Sequence, residues 1–361
     1  MIDKKFSKRL ENLPASIWQK LIKIDRLKGQ WISGAKLSPQ VLGRLKKSVL
    51  VTSTGASTRI EGSKMSDEDI ERMIRGIYIQ NLQNRDKQEV GGYYELLLNV
   101  FSSWKTIKFS ESTIKHFHKE LLKYVGKDKE HRGEYKKTEN KVHMVNEPGE
   151  SAGILFDTTK AYLTPKEMQE LVEWTIAALE KQSHEPLVII SNFLIEFLNI
   201  HPFKDGNGRL SRILTNLLLL KSGYLFMPYI SHEKLIEDNK PEYYISLRKS
   251  QKTLRTKKPD ISYWLGFYLD IILKQSQMAV ELLSEENIEK LLSKKQLLVW
   301  EYLQAVEEAA PLEITKETKV KRPTVNQVLV KLLQLEKIER IGLGRGTRYR
   351  VKEMNHKQKQ K

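Results

Sequence analysis

The chain has 361 residues, 40% of them hydrophobic and 30% charged, with 62 Lys and Arg against 45 Asp and Glu for a formal charge of +17. That length suffices for about two or three domains with buried cores, and six tryptophans argue against a disordered polyelectrolyte. With no cysteine, disulfides, a thiolate nucleophile, thiolate-bound zinc and iron–sulfur clusters are excluded. The opening MIDKKFSKRLENLP lacks an apolar run of signal-peptide length. The most apolar stretch, Leu187 to Ile200, is interrupted by Ser191, Asn192, Glu196 and Asn199, so a cytoplasmic protein without a membrane partner is expected. The positive charge implies an anionic partner without saying whether it is nucleic acid, nucleotide or acidic protein.

Helical periodicity dominates the first three quarters of the chain. Between Asn12 and Lys28, Ile17, Leu21, Ile24 and Leu27 make one apolar stripe at spacings of three and four. Ser66 reads as an N-cap followed by first-turn acids. Thr164-Pro-Lys-Glu167 reads as a capping box opening a helix that runs to about Glu180. Between Val125 and Lys160 Gly, Pro and Asn punctuate two short predicted strands, Val142–Val145 and Ile154–Phe156, a hairpin on a helical body. From Ser293 the order changes: helices over Lys294–Val306, Glu313–Lys319 and Pro323–Leu335, then β-like runs over Ile338–Ile341 and Thr347–Val351 around a glycine-tipped turn. Three helices and a hairpin is the order of a winged helix-turn-helix. The last 69 residues hold 16 Lys and Arg against 8 Asp and Glu.

The segment His201-Pro-Phe-Lys-Asp-Gly-Asn-Gly-Arg209-Leu-Ser-Arg212 joins two apolar, helix-like runs. Its glycines let backbone N–H groups converge at the start of the second helix, which favours phosphate. Arg209 and Arg212 lie three apart on one helix face, suited to bidentate phosphate contacts. Asp205 offers a hard oxygen for Mg²⁺, and His201 an imidazole for proton transfer near neutrality. Each group alone has an ordinary explanation as cap, turn or solvated face. Together they describe phosphoryl or nucleotidyl transfer from a Mg-nucleotide, the alternative being a loop that binds a nucleotide without turning it over.

HPFKDGNGRLSR resembles the Fic family motif HPFx(D/E)GNGRxxR at every specified position. The resemblance implies a mainly α fold, a helical bundle with a β-hairpin flap, that transfers the AMP part of ATP to a hydroxyl of a target protein. It implies that His201 is the base, that Asp205 holds Mg²⁺, that Gly206, Asn207 and Gly208 form the anion hole, and that Arg209 and Arg212 bind the outer phosphates. Phe203 would anchor the loop. Glycine at Gly208, where the kinase-like branch has lysine, weighs against phosphate transfer. Gly133 to Val142 resembles the run into the family's flap, with Lys136 where many members have arginine. Tyr243 and Tyr244, and more weakly Asn239, resemble residues near the nucleotide site.

Upstream, Ser57-Thr-Arg-Ile-Glu61-Gly62 resembles the family's autoinhibitory motif (S/T)xxxE(G/N). Ser57 and Glu61 share a helix face, and Gly62 can end that helix in a left-handed cap. The resemblance implies that Glu61 pairs with Arg212 and blocks productive placement of the γ-phosphate.

The expected layout is an N-terminal helical segment over 1–37, a Fic-like core over 38–276 with the inhibitory helix near 57–62, a linker helix over 277–292, a winged helix-turn-helix over 293–352 and a basic tail over 353–361. Lys319, Lys321, Arg322, Asn326 and Gln327, with Arg345, Arg348 and Arg350 on the wing, are the candidate DNA contacts, although such modules also dock proteins. The leading reading is a Mg-ATP-dependent protein adenylyltransferase acting on a Ser, Thr or Tyr hydroxyl. A transcriptional regulator with a nucleotide-sensing core and an enzyme that removes AMP are the alternatives, and a homodimer is left open.

Overall fold

The protein is described by a computed structural model covering residues 2–34, 37, 39–75, 84–145, 151–285, 293–334, 337–342 and 344–352. It divides into two compact units, Met1–Ser33 with Leu45–Val280, and Gly34–Arg44 with Glu281–Lys361. The expected tail over 353–361 and residues 286–292 of the expected linker lie outside the described residues. Among the described residues no helix is long and apolar enough to cross a membrane.

The first unit is helical, as expected, with one small hairpin. Its helices are α1 (Ile2–Ser7), α2 (Ala15–Gly34), α3 (Pro39–Ile60), α4 (Asp67–Arg75), α5 (Arg85–Ser103), α6 (Glu111–Leu121), α7 (Thr164–Lys181), α8 (Pro186–Ile200), α9 (Asn207–Lys221), α10 (His232–Asp238), α11 (Lys240–Gln251) and α12 (Ser262–Glu285). A helix apolar all round belongs at the centre of a bundle. Every residue of α8 from Leu187 to Ile200 is buried, and α8 packs between α7 and α9. Three polar groups on α8 are tied to other parts of the unit. Trp264 Nε1 donates to the Ser191 carbonyl at 2.9 Å, Asn192 Nδ2 donates to the Phe6 carbonyl at 3.2 Å, and Glu196 pairs with Arg9 at 2.8 Å. Phe6 and Arg9 therefore tie α1 and the turn after it into the core, where Phe6 also packs on Trp174.

The strands β1 (Lys141–Val145) and β2 (Ser151–Asp157) pair antiparallel, Lys141 opposite Asp157 and Val142 opposite Phe156, with register irregularities after Val142 and after Met144. Ser66 caps α4: its hydroxyl accepts the Asp69 N–H at 3.1 Å while the Asp69 carboxylate accepts the Ser66 N–H at 3.2 Å. The capping box expected at Thr164 does not form. Thr164 is already helical and donates to the Lys160 carbonyl, while Glu167 accepts from Thr159 and, through two bonds of 3.0 Å, from Arg255. A guanidinium from 88 residues away is a stronger partner for that carboxylate than a neighbouring backbone N–H.

In the second unit α13 (Lys294–Ala305), α14 (Pro311–Thr318) and α15 (Arg322–Gln334) precede β3 (Ile338–Ile341) and β4 (Arg348–Val351), which pair antiparallel with Ile338 opposite Val351. Ala309 and Tyr349 exchange two backbone bonds of 2.9 Å, adding a bridge beside the hairpin. Val299, Trp300, Leu303, Ile314, Val325, Val328, Leu329, Leu332 and Ile338 belong to one buried cluster.

The Arg9–Glu196 pair sets the first test. Both side chains are almost fully buried, so Arg9→Met strands a carboxylate in the core. Urea unfolding should report a loss of about 3 kcal/mol, the low end for a broken buried pair because Lys5 stands 3.9 Å from Glu196. Adding Glu196→Leu should restore most of it; equal instability in the double variant would assign the loss to packing.

Candidate active site

The loop between α8 and α9 is tied down from several sides. α8 ends when His201 turns left-handed at φ 52°, its N–H closing on the Phe197 carbonyl at 2.9 Å. A non-glycine residue in this conformation is uncommon and is held by its surroundings. Phe203 is fully buried, stacked on the His118 ring at 3.9 Å and 10° and flanked by Tyr135. The Asn207 amide closes the loop on itself, accepting the Phe203 N–H at 3.0 Å and donating to the Phe203 carbonyl at 2.8 Å. Gly206, at φ 78°, then starts α9 at Asn207. The first-turn N–H groups of α9 lack intrahelical acceptors, as at any helix start, and no side chain of the cap residue takes them up.

His118 of α6 holds the loop from below. Its Nδ1 accepts the Gly133 N–H at 2.9 Å, which puts the ring proton on Nε2, and Nε2 lies 3.0 Å from the Asp205 carbonyl. Burial draws this imidazole down to about 4, so it is neutral. Lys136 holds the loop from the hairpin side. Its ammonium donates to the Ile200 carbonyl at 3.0 Å, to Asn140 at 2.8 Å and to Thr158 at 2.8 Å, and its N–H donates to the Pro202 carbonyl at 2.9 Å. Burial pulls Lys136 down to about 8. Asn140 Nδ2 donates to the Phe203 carbonyl at 2.9 Å, so the run into the hairpin and the loop form one bonded structure.

His201 is half-buried, with Nδ1 3.4 Å from the Leu198 carbonyl. Burial, then the nearby Lys136 ammonium, pull its imidazole down to about 4. Asp205 accepts from Arg209 and from Arg85, both at 2.9 Å. Burial works against its charge, but Arg209 first, then the Gly206 N–H and Arg85, hold the carboxyl below its ordinary value. Arg209, 3% exposed, lies between Asp205 and Glu89, the latter at 2.7 Å.

Arg212 is 2% exposed and spends its guanidinium on α3. Its Nε donates to Ser57 Oγ at 2.8 Å, and one terminal nitrogen donates to the Ser57 carbonyl at 3.0 Å and to Glu61 Oε1 at 2.6 Å. Glu61 caps α3, which ends at Ile60. Gly62 at φ 105° donates to the Arg59 carbonyl and Ser63 to the Thr58 carbonyl, a left-handed glycine cap. Arg59 fixes this end by a two-bond contact with Glu237 and a 2.8 Å bond to Asp67. The Glu61 carboxylate is held below its ordinary value: burial opposes this, but Arg212 and then Arg209 outweigh it. Glu61 reaches Arg212 over Gly208, where a side-chain methyl would overlap its carboxylate.

Tyr243 and Tyr244 lie beside this pair, with ring centroids 5.1 Å apart. Tyr243 is buried against Trp264 and Phe267, and Tyr244 is half-buried. Burial pushes the Tyr243 phenol up to about 12. Asn239 donates to the Leu235 carbonyl at 2.8 Å, within its own helix end.

The structure thus brings His201, Asp205, Gly206, Asn207, Gly208, Arg209, Arg212, Ser57, Glu61, Tyr243 and Tyr244 to one region. Asn207 spends its side chain on the loop's own backbone. His118, Arg85 and Glu89 were not singled out from the sequence. His118 sits on the apolar stripe of α6 with Ile114 and Leu121, a weak signal of an imidazole needing buried partners. Among the described residues no group of three His, Asp or Glu is arranged to hold a metal ion. Asp205 offers one anionic oxygen donor beside the start of α9, which suits a magnesium ion taking its other ligands from phosphate and water.

Residues 108–219 match the family model for the Fic/DOC family. Over 106 residues the chain is 35% identical to a Fido domain-containing protein of Dictyostelium discoideum, covering 27% of this chain and 67% of that one. It is 26% identical over 211 residues to the protein adenylyltransferase Fic of Drosophila grimshawi, 57% of this chain but only 40% of that protein's length. The crystal structure of a Fic family protein from Desulfovibrio desulfuricans superposes with a TM-score of 0.64 at 21% identity, covering 95% of this chain and 98% of that one. The loop, the family match and the shared fold agree: this chain belongs to the Fic/DOC family.

Proposed function

We propose that this chain is a protein adenylyltransferase that transfers AMP from Mg-ATP to a target hydroxyl and is restrained by its own Glu61. The observation that carries the reading is the 2.6 Å contact between Glu61 and Arg212 across Gly208, directly over the anion-favouring start of α9. A carboxylate there takes the guanidinium nitrogens that a γ-phosphate oxygen would use. The adenylyltransferase named among the relatives supports the chemistry.

In this reading the Leu198 carbonyl favours the proton on Nδ1 of His201, leaving Nε2 to accept a proton from the target hydroxyl. The hydroxyl oxygen forms its bond to the α-phosphorus as the bond to the bridging oxygen breaks, and pyrophosphate leaves. The N–H groups opening α9, with Arg209 and Arg212, take up the charge on the departing phosphates. Asp205 would hold Mg²⁺, which would neutralise phosphate charge and orient the leaving group. Lys136 and His118 keep the loop rigid, and the Lys141–Val145 edge of the hairpin offers backbone pairing to an extended target segment.

The second unit we propose to be a winged helix-turn-helix that docks α15 on DNA. Lys321, Arg322, Asn326 and Gln327 are exposed there, while Val325, Val328, Leu329 and Leu332 face the core. On the hairpin, Arg348 is engaged by Glu308 and Glu313, both at 2.8 Å, and Arg350 pairs with Glu339, so the exposed Lys321 and Arg322 at the start of α15 are the cations this reading assigns to phosphate. Arg345 lies in the turn, and its side chain is outside the described residues.

Three outcomes test these readings. Incubated with ATP, Glu61→Gly should gain AMP, on itself or a target, about tenfold faster or more than wild type, equivalent to removing ~1.4 kcal/mol of competition. His201→Ala in that background should lose about 10²- to 10⁴-fold, read by intact mass. Equal labelling in all three sinks the enzyme. Because His201 titrates at about 4 rather than 6.5, its imidazole is neutral throughout the neutral range. Transfer by Glu61→Gly should therefore stay level from about pH 6 to about pH 8, and a fall centred near 6.5 would contradict the assignment. Duplex DNA binding by the full chain should weaken steeply with salt, and Lys321→Ala or Arg322→Ala should each lower that slope by about one. Salt-insensitive or absent binding rejects the DNA reading.

A further inference from the structure

Arg85 and Glu89, one turn apart on α5, close a ring of four charges with the loop. Arg85 Nε lies 2.7 Å from Glu89 Oε1, Glu89 Oε2 lies 2.7 Å from Arg209, and Arg209 and Arg85 both stand 2.9 Å from Asp205 Oδ2. The ring has an inside and an outside. The side chains of Arg209 and Glu89 are 3% and 12% exposed, whereas those of Asp205 and Arg85 are 38% and 52% exposed.

Both guanidiniums converge on one carboxylate oxygen. A divalent cation taking Asp205 as ligand would bring a double positive charge against them, and the two arginines are not equally able to respond. Arg209 is buried and backed by Glu89. Arg85 is half-exposed, and it keeps Glu89 and, at 3.7 Å, Asp128 as alternative partners when it lets go of Asp205. The exchangeable member is Arg85.

We propose that Arg85 is the resident counter-cation of Asp205: it occupies the oxygen that the divalent ion needs, and its displacement sets how much Mg²⁺ the nucleotide site requires. The inference rests on the adenylyltransferase reading, in which Asp205 is the metal ligand. The resting site is then blocked at both ends by side chains of opposite sign, a carboxylate on the phosphate-binding Arg212 and a guanidinium on the metal-binding Asp205. Arg85 is a positioning residue here, since it acts through Asp205.

The test titrates Mg²⁺ against binding of a non-hydrolysable ATP analogue to the full chain carrying Glu61→Gly. Adding Arg85→Ala should lower the Mg²⁺ midpoint about three- to fivefold, the scale of a partly exposed ion pair, while Arg85→Lys should stay near the parent. An unchanged or raised midpoint in Arg85→Ala overturns the proposal, the raised one assigning Arg85 to phosphate binding instead. A parent that shows no Mg²⁺-dependent binding at all overturns the adenylyltransferase reading as well. Without nucleotide, thermal unfolding of Arg85→Ala, Asp205→Asn and the double variant should be non-additive; strict additivity would also overturn the pairing.

Discussion

Arg212 must be paired. A guanidinium at 2% exposure has lost its water, and removing its partner would leave an uncompensated buried charge. The architecture around it reads as a set of answers to that constraint. Ser57 offers its hydroxyl and carbonyl from the last turn of α3, Glu61 offers a carboxylate from the cap, Gly62 turns the chain away, and Arg59 pins the helix end to Glu237. Gly208 leaves the space through which the carboxylate arrives. In the proposed function the same constraint would give the site two states, because a phosphate oxygen satisfies a guanidinium as well as a carboxylate does. The exchange in that reading is one anion for another.

The loop to which the proposed function assigns the chemistry is held by neighbours with no assigned chemistry of their own. Two largely buried helices fix its ends, Phe203 stacks beneath it, and His118 and Lys136 bond its backbone from α6 and from the hairpin run. His201 can hold a left-handed backbone because Phe197, Lys136 and Asn140 fix the turn on both sides. Burial keeps both His118 and His201 neutral, so one serves as a fixed strut and the other can accept a proton.

What could be read from the sequence was what local order determines. The loop from His201 to Arg212 and the Ser57–Gly62 segment each pack several functional groups into a few residues, and their helix starts and caps follow from Gly206 and Gly62 alone. The three helices and hairpin of the second unit were equally legible from stripes and glycines. The failures have one origin: partners distant in sequence. Glu167 abandons its capping role for Arg255, and Phe6 and Arg9 belong to the core because α8 needs them. Glu89 meets Arg209 only after α5 has packed on α9. An i, i+4 Arg–Glu pair on a helix looks like an ordinary surface pair until the loop's Asp205 and Arg209 are set beside it.

The surplus of +17 that suggests a polyanion is, at the site itself, largely neutralised: Arg85, Arg209 and Arg212 are each matched to Asp205, Glu89 or Glu61. In the proposed function, selectivity there would come from which anion holds Arg212. The most direct measurement compares ATP with ADP by calorimetric titration in wild type and in Glu61→Gly. If Glu61 occupies the place of the third phosphate, wild type binds the two nucleotides with similar affinity, and Glu61→Gly acquires a preference for ATP. The same ATP-to-ADP ratio in both proteins would contradict the account.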